Sequence, residues 1–234
     1  MNGYNGHPGG EFAVNDFSGD FLPPSTEVAG AGSFRTFCLE IDEHLSYGTQ
    51  YTYTLSETAQ LGGVNTDAGD LLSVATAKLY YTFWTNQWSV SGDLDLLGAS
   101  NALAYDYATE AARAQDSADL QFAIWFLERE LGTDLSTSGV AYGNLTAKAK
   151  AMVDFARDAQ LTWSDLGVDW DDTTIGGVRV INPMEGTNYR QSALVVQSTL
   201  IVVPLPVGAW MGFALLGALG IGRGFRSRRS RELV

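Results

Sequence analysis

Apolar and polar residues alternate with a period of two in two early segments of the chain. In Phe34-Arg35-Thr36-Phe37-Cys38-Leu39-Glu40-Ile41 the set Arg35, Phe37, Leu39, Ile41 interleaves with Phe34, Thr36, Cys38, Glu40. This predicts a strand with one clearly apolar face, with Cys38 pointing opposite to Phe37 and Leu39. From Tyr47 to Leu55, Tyr51 and Tyr53 alternate with Thr52 and Thr54, a second strand rich in β-favouring residues, and Gly62-Gly63 closes this portion.

The period then lengthens. Leu72, Ala75, Leu79 and Phe83 form a stripe that predicts a helix over 68–86, capped near Asp67 or Asp70. Residues 108–115 form a weaker helical piece. The strongest stripe is Leu120, Ala123, Ile124, Leu127 and Leu131, predicting a helix over 117–131 with Ser117 or Asp116 as N-cap and Gly132 at its end. Gln121 then falls in the first turn, off the main stripe. A third helix is expected over 146–160 through Ala149, Met152, Val153 and Ala156. Strands return at 177–182 and 192–203, with Asn182-Pro183-Met184-Glu185-Gly186 as the turn between them. The order of elements predicts an α+β fold, a β-sandwich or barrel with a helical insert.

A different pattern ends the chain. Val203-Pro204-Leu205-Pro206 precedes the apolar run Val207 to Ile221, and Arg223, Arg226, Arg228, Arg229 and Arg231 follow. An apolar stretch with a basic flank reads as a membrane stop whose positive end stays in the cytoplasm. The run is shorter than the roughly 20 residues a permanent span needs, and the prolines interrupt a helix before it. The chain therefore reads as an extracytoplasmic body, residues 1–199, and a C-terminal transmembrane segment, residues 200–234.

This tail resembles the PEP-CTERM and VPLPA-CTERM sorting signals of bacteria, with Val207 standing where the second form has alanine. The resemblance implies recognition by an exosortase-type membrane protease, anchoring in the membrane through the C-terminal helix before processing, and delivery to the cell surface or an exopolysaccharide matrix. An ordinary C-terminal anchor is the alternative. The segment Met1 to Gly10 has neither a basic nor an apolar region of a signal peptide. An N-terminally shortened sequence, with Met1 internal to the natural protein, is therefore expected; a cytoplasmic tail-anchored protein stands as the rival.

Charge narrows the partners. The chain carries 14 basic and 27 acidic residues, a net charge of −13. Setting aside the five tail arginines and Glu232 leaves a body of nine against twenty-six, or −17. Such a body repels nucleic acid, which is excluded as a partner.

One cysteine rules out a disulfide within the chain. Cys38 reads as a buried small apolar side chain, as half of an intermolecular disulfide, or as something more reactive. An aromatic-flanked cysteine in a strand, followed some eighty residues later by Gln121-Phe122-Ala123-Ile124-Trp125, resembles the bacterial surface thioester domains, although Leu120 occupies a place where many of them carry threonine. The resemblance implies that the Cys38 thiolate attacks the Gln121 carboxamide, releases ammonia, and leaves an internal thioester that an amine-bearing surface or exopolysaccharide can open. No other active residue transfers.

The first turn of a helix at Gln121 is expected to supply positive potential that lowers the thiol pKa, and free N–H groups that hold oxyanion charge. Enforced proximity is the larger effect, worth roughly 7–11 kcal/mol of barrier. Phe37, Phe122 and Trp125 are expected to shelter the bond.

Other chemistry is poorly supported. His7 and His44 lack a nucleophile elbow or a second histidine at ligand spacing, and both read as surface residues. Asp165, Asp169, Asp171 and Asp172 around Trp163 and Trp170 do not follow a calcium-loop spacing and read as a solvated loop. No metal, cofactor or enzymatic activity is predicted. A non-covalent structural or polysaccharide-associated matrix protein is the alternative, and a secreted hydrolase the third reading.

Overall fold

The structure, a computed structural model, describes residues 10–15, 17–24, 32–41, 43–60, 69–88, 103–107, 110–130 and 142–198. The residues expected to form a sorting signal, Val203, Pro204, Leu205, Pro206, Arg223, Arg226, Arg228, Arg229 and Arg231, lie outside them, as do Gly62-Gly63 and Gly132. No helix among the described residues is long and apolar enough to cross a membrane.

The fold is α+β, as expected. In chain order the described strands and helices are β1 (Phe12–Val14), β2 (Phe34–Thr36), β3 (Thr52–Ser56), β4 (Thr58–Ala59), β5 (Asp70–Leu71), α1 (Val74–Thr85), α2 (Glu110–Leu127), α3 (Ala147–Arg157), β6 (Val178–Glu185), β7 (Asn188–Tyr189) and β8 (Ala193–Val196). The sheets are antiparallel, and no closed barrel forms among the described residues. β1 pairs with β2, β4 with β5, and β6 is flanked by β3 on one side and by β7 and β8 on the other.

α1 is the middle of the core, buried on every side from Thr76 to Trp84. Its one cation, Lys78, is kept there by donating to the Leu161 carbonyl and to Asp172, with its ammonium over the Trp163 ring. Ser73, not Asp67 or Asp70, caps it by accepting from the Thr76 N–H, and Asn86 closes it in a left-handed conformation. The expected helix over 68–86 is thus trimmed at its start, where Asp70–Leu71 is strand.

Two expectations around α2 and β6 are corrected. The weak and strong helical pieces are one helix of 18 residues, so Gln121 sits in its interior and not in its first turn. The residues expected to cap it are occupied elsewhere: Asp116 accepts from the Asp106 N–H and from Lys148, and Ser117 Oγ accepts the Glu11 N–H. With their side chains taken by tertiary partners, neither competes with the helix backbone.

The expected turn at Asn182-Pro183 is likewise the interior of β6. Asn182 is fully buried and satisfied, accepting from Gln60 and Ser192 and donating to Ser56 and Thr58. Pro183 turns its carbonyl to the Arg190 N–H, so its missing donor falls in the gap between β7 and β8 where the ladder is already interrupted. The chain reverses four residues later than the start of the predicted turn, at Gly186, whose φ is 64°.

Candidate functional site

The eight-residue strand expected around Cys38 is β2 followed by a single bridge, Cys38 to Ala193 of β8. The face opposite Phe37 and Leu39 is buried as well as the apolar one: Thr36, Phe37, Leu39 and Glu40 are at most 3% exposed and Cys38 is 9% exposed. The Leu39 N–H donates to the Ser192 carbonyl at 3.0 Å, fixing this side of the segment to the chain before β8. By the alternation of an extended backbone, the N–H and C=O of Cys38 then face the other way, toward α2.

There they meet Gln121. Its Oε1 accepts the Cys38 N–H at 3.1 Å and its Nε2 donates to the Cys38 carbonyl at 2.7 Å. Gln121 is only 1% exposed. The side-chain amide completes the sheet edge as a neighbouring strand would. It also sets the carboxamide opposite the Cα that carries the sulfur. The structure therefore brings together the two residues singled out in the sequence, 83 positions apart.

The electrostatics differ from expectation. The interior position of Gln121 removes the free N–H groups of a helix start, so neither the lowered thiol pKa nor the helix-derived oxyanion site is present. Burial first, and then the charge of Glu40, push the Cys38 thiol up to about 12, against a lowering contact from the Gln191 side chain. The donor that does reach the carboxamide oxygen is the Cys38 N–H.

Sequence reasoning missed three further members of this site. Glu40 is 2% exposed; its Oε2 accepts the Ser192 N–H at 2.9 Å, and Oε1 has no hydrogen-bond partner among the described residues. Gln191 donates to the Glu40 carbonyl at 2.9 Å. Burial raises the Glu40 carboxyl to about 7, against the Ser192 hydrogen bonds. Burial, and next the charge of Glu40, raise Glu130 to about 8. Glu40 was legible as the residue two along from Cys38 on the same strand face. Gln191 and Ser192 were not, because only the bridge to β8 brings them there.

Of the rings expected to shelter the pair, Phe37 and Trp125 are fully buried and Phe122 nearly so; Phe122 and Trp125 meet edge to face at 5.7 Å, and Phe37 packs on Phe83. The exposed ring of Tyr47 lies close enough to Cys38 for ionisation of the one to oppose ionisation of the other.

The acidic loop is organised by its own donors. Asp165 accepts from Thr162, Asp171 from Thr173, and Asp172 from the Trp163 N–H and Lys78. Trp163 is buried against Trp170 and Tyr81, and Trp170 covers Gly176 so closely that a Cβ there would meet the ring at 2.0 Å. His44 is exposed, and His7 lies outside the described residues. Among the described residues no group of three or more His, Cys, Asp or Glu could hold a metal ion. Compared with family models, with curated proteins and with solved structures, the chain finds no match.

Proposed function

We propose that this chain is an exported surface or matrix protein whose Cys38 and Gln121 close an internal thioester for covalent attachment to amines. The observation that carries the reading is the two-point clamp: the carboxamide to be attacked is hydrogen-bonded, through both its oxygen and its nitrogen, to the residue that bears the nucleophile. In such an arrangement the entropy of bringing the two groups together has been met by folding. The Cys38 N–H stands on the oxygen that gains charge, and the Cys38 carbonyl holds the nitrogen that leaves. The tail, residues 200–234, serves in this reading as a transmembrane sorting helix for an exosortase-type membrane protease, and the body as a sandwich-like ectodomain.

One observation favours a second reading. A thiol pushed up to about 12 is almost wholly protonated at neutral pH, and a satisfied amide clamp is also a sound way to finish a sheet edge. On that reading Cys38 is a core thiol and the protein a non-covalent matrix component.

Labelled methylamine separates the two. The thioester reading expects one label per chain, mapped to Gln121, with one thiol released at Cys38 for each label; Cys38→Ala takes up none. Absence of label on the native wild-type chain favours the core thiol. For the tail, the C-terminus of the protein isolated from the cell surface is expected near Pro204 and Pro206, without Arg226 to Arg231; an intact arginine end contradicts processing.

A further inference from the structure

The thiol at Cys38 must lose a proton before its sulfur can attack, and the Gln121 nitrogen must gain one before it can leave. The clamp supplies neither service. The Cys38 N–H donates to the wrong atom, and the Cys38 carbonyl accepts from the nitrogen that needs a proton. Among the described residues, the one charge that acts on the thiol is Glu40. It stands two residues along the chain, past a bend at Leu39, and its carboxyl reaches back to the chain before β8 at Ser192. The thiol and Glu40 share Gln191, which contacts the sulfur and donates to the Glu40 carbonyl. One Glu40 oxygen is held by the Ser192 N–H, which fixes the carboxyl, and the other has no partner although the residue is buried. A buried, unpartnered carboxylate oxygen is costly, and among the described residues no cation offsets it. Positions of that kind are kept where the group has work to do.

Resting on the thioester reading above, we propose that Glu40 carries the proton for making and opening the Cys38–Gln121 bond. In closure the Glu40 carboxylate takes the thiol proton, the thiolate adds to the carboxamide carbon, and the oxygen charge is held by the Cys38 N–H. The carbon–nitrogen bond then breaks, and Glu40 returns its proton to the departing nitrogen, which leaves as ammonia. In opening, a primary amine adds to the thioester carbon, Glu40 takes the amine proton, the carbon–sulfur bond breaks, and the proton passes to the sulfur. The carboxyl ends each cycle as it began.

Glu40 is matched to both halves because burial brings its pKa to about 7, where carboxylate and acid coexist. The titratable groups that act on it or respond to it are Cys38, Glu43 and Glu130, with Tyr47 facing Cys38. All are acids, and among the described residues none of them supplies a counter-charge.

The test is the rate of ammonia loss, followed by mass, after the reduced full-length chain is refolded from denaturant between about pH 5 and pH 9. The wild type is expected to close faster as pH rises through about 7 and then level off, since the carboxylate starts the cycle. Glu40→Gln keeps the shape and an oxygen for the Ser192 N–H; it is expected to close about 100-fold more slowly and to lose that pH limb. Glu40→Asp is expected to recover the limb, at a rate between the two, which a merely structural role does not predict. Closure of Glu40→Gln at the wild-type rate with an unchanged profile overturns the role of Glu40 and leaves the thioester intact. A wild-type chain that never loses ammonia overturns both together.

Discussion

Glu11 and Glu40 are both buried carboxylates on segments that α2 packs against, and the chain surrounds them in opposite ways. Glu11 accepts from Arg35, from Arg113 of α2 and from the Tyr105 hydroxyl, while its own N–H donates to Ser117. Among the described residues Glu40 has no cation beside it; Ser192 holds Oε2 and Oε1 is without a partner. A carboxylate held by two guanidiniums fixes β1, β2 and α2 to one another. A carboxylate with no counter-charge is left to titrate. The residue beside Cys38 is the second kind, and this contrast separates a structural rivet from a group available for proton transfer.

The contrast is broken most severely from the Glu11 side. Glu11→Ala leaves two partly buried guanidiniums without their anion and is expected to cost about 4 kcal/mol, read as a fall in the urea midpoint at unchanged slope. A loss below about 1 kcal/mol would mean the cluster is no rivet. Next in size is Gln121→Ala. It abolishes any thioester and also orphans the buried N–H and C=O of Cys38, an expected loss of about 3 kcal/mol in the same assay.

Titration of Glu40 comes third, and its sign follows from the direction of the shift. Its folded pKa of about 7 lies above its ordinary value of 4.5, so the native state holds the proton more tightly. Stability is therefore fully present below about pH 4.5 and declines as pH rises through 7. Between about pH 5 and pH 7 the expected decline is about 2 kcal/mol, and Glu40→Gln should remove it. Glu130 works in the same direction up to about 8. A Glu40→Gln variant with an undiminished slope would place the titration elsewhere. The smallest effect belongs to Cys38→Ala measured against the wild type before the bond closes, where it removes one buried sulfur and should cost about 1 kcal/mol while eliminating methylamine uptake.

Periodicity exposed the parts of this fold that local physics decides. The α3 stripe of Ala149, Met152, Val153 and Ala156 faces inward and Thr146 caps it, since a polar exposed face and an N-cap side chain are both local signals. The Cys38 and Gln121 pair was legible because a motif lay around each residue. The misses are long-range. Asp116 and Ser117 read as caps until partners from Asp106, Lys148 and Glu11 claim their side chains, and the helix runs through them. Asn182-Pro183 reads as a turn until Gln60, Ser56, Thr58 and Ser192 satisfy the buried amide. The electrostatic error around Gln121 followed directly from the first of these, because a helix two turns longer carries its free N–H groups away from the site.

The central claim is the bond between Cys38 and Gln121, and the intact mass of the full-length chain under denaturing conditions tests it most directly. A chain lighter by one ammonia than its sequence is expected, with no thiol available to alkylation until an amine or hydroxide opens the bond. A chain of unaltered mass that alkylates at Cys38 once denatured would contradict it.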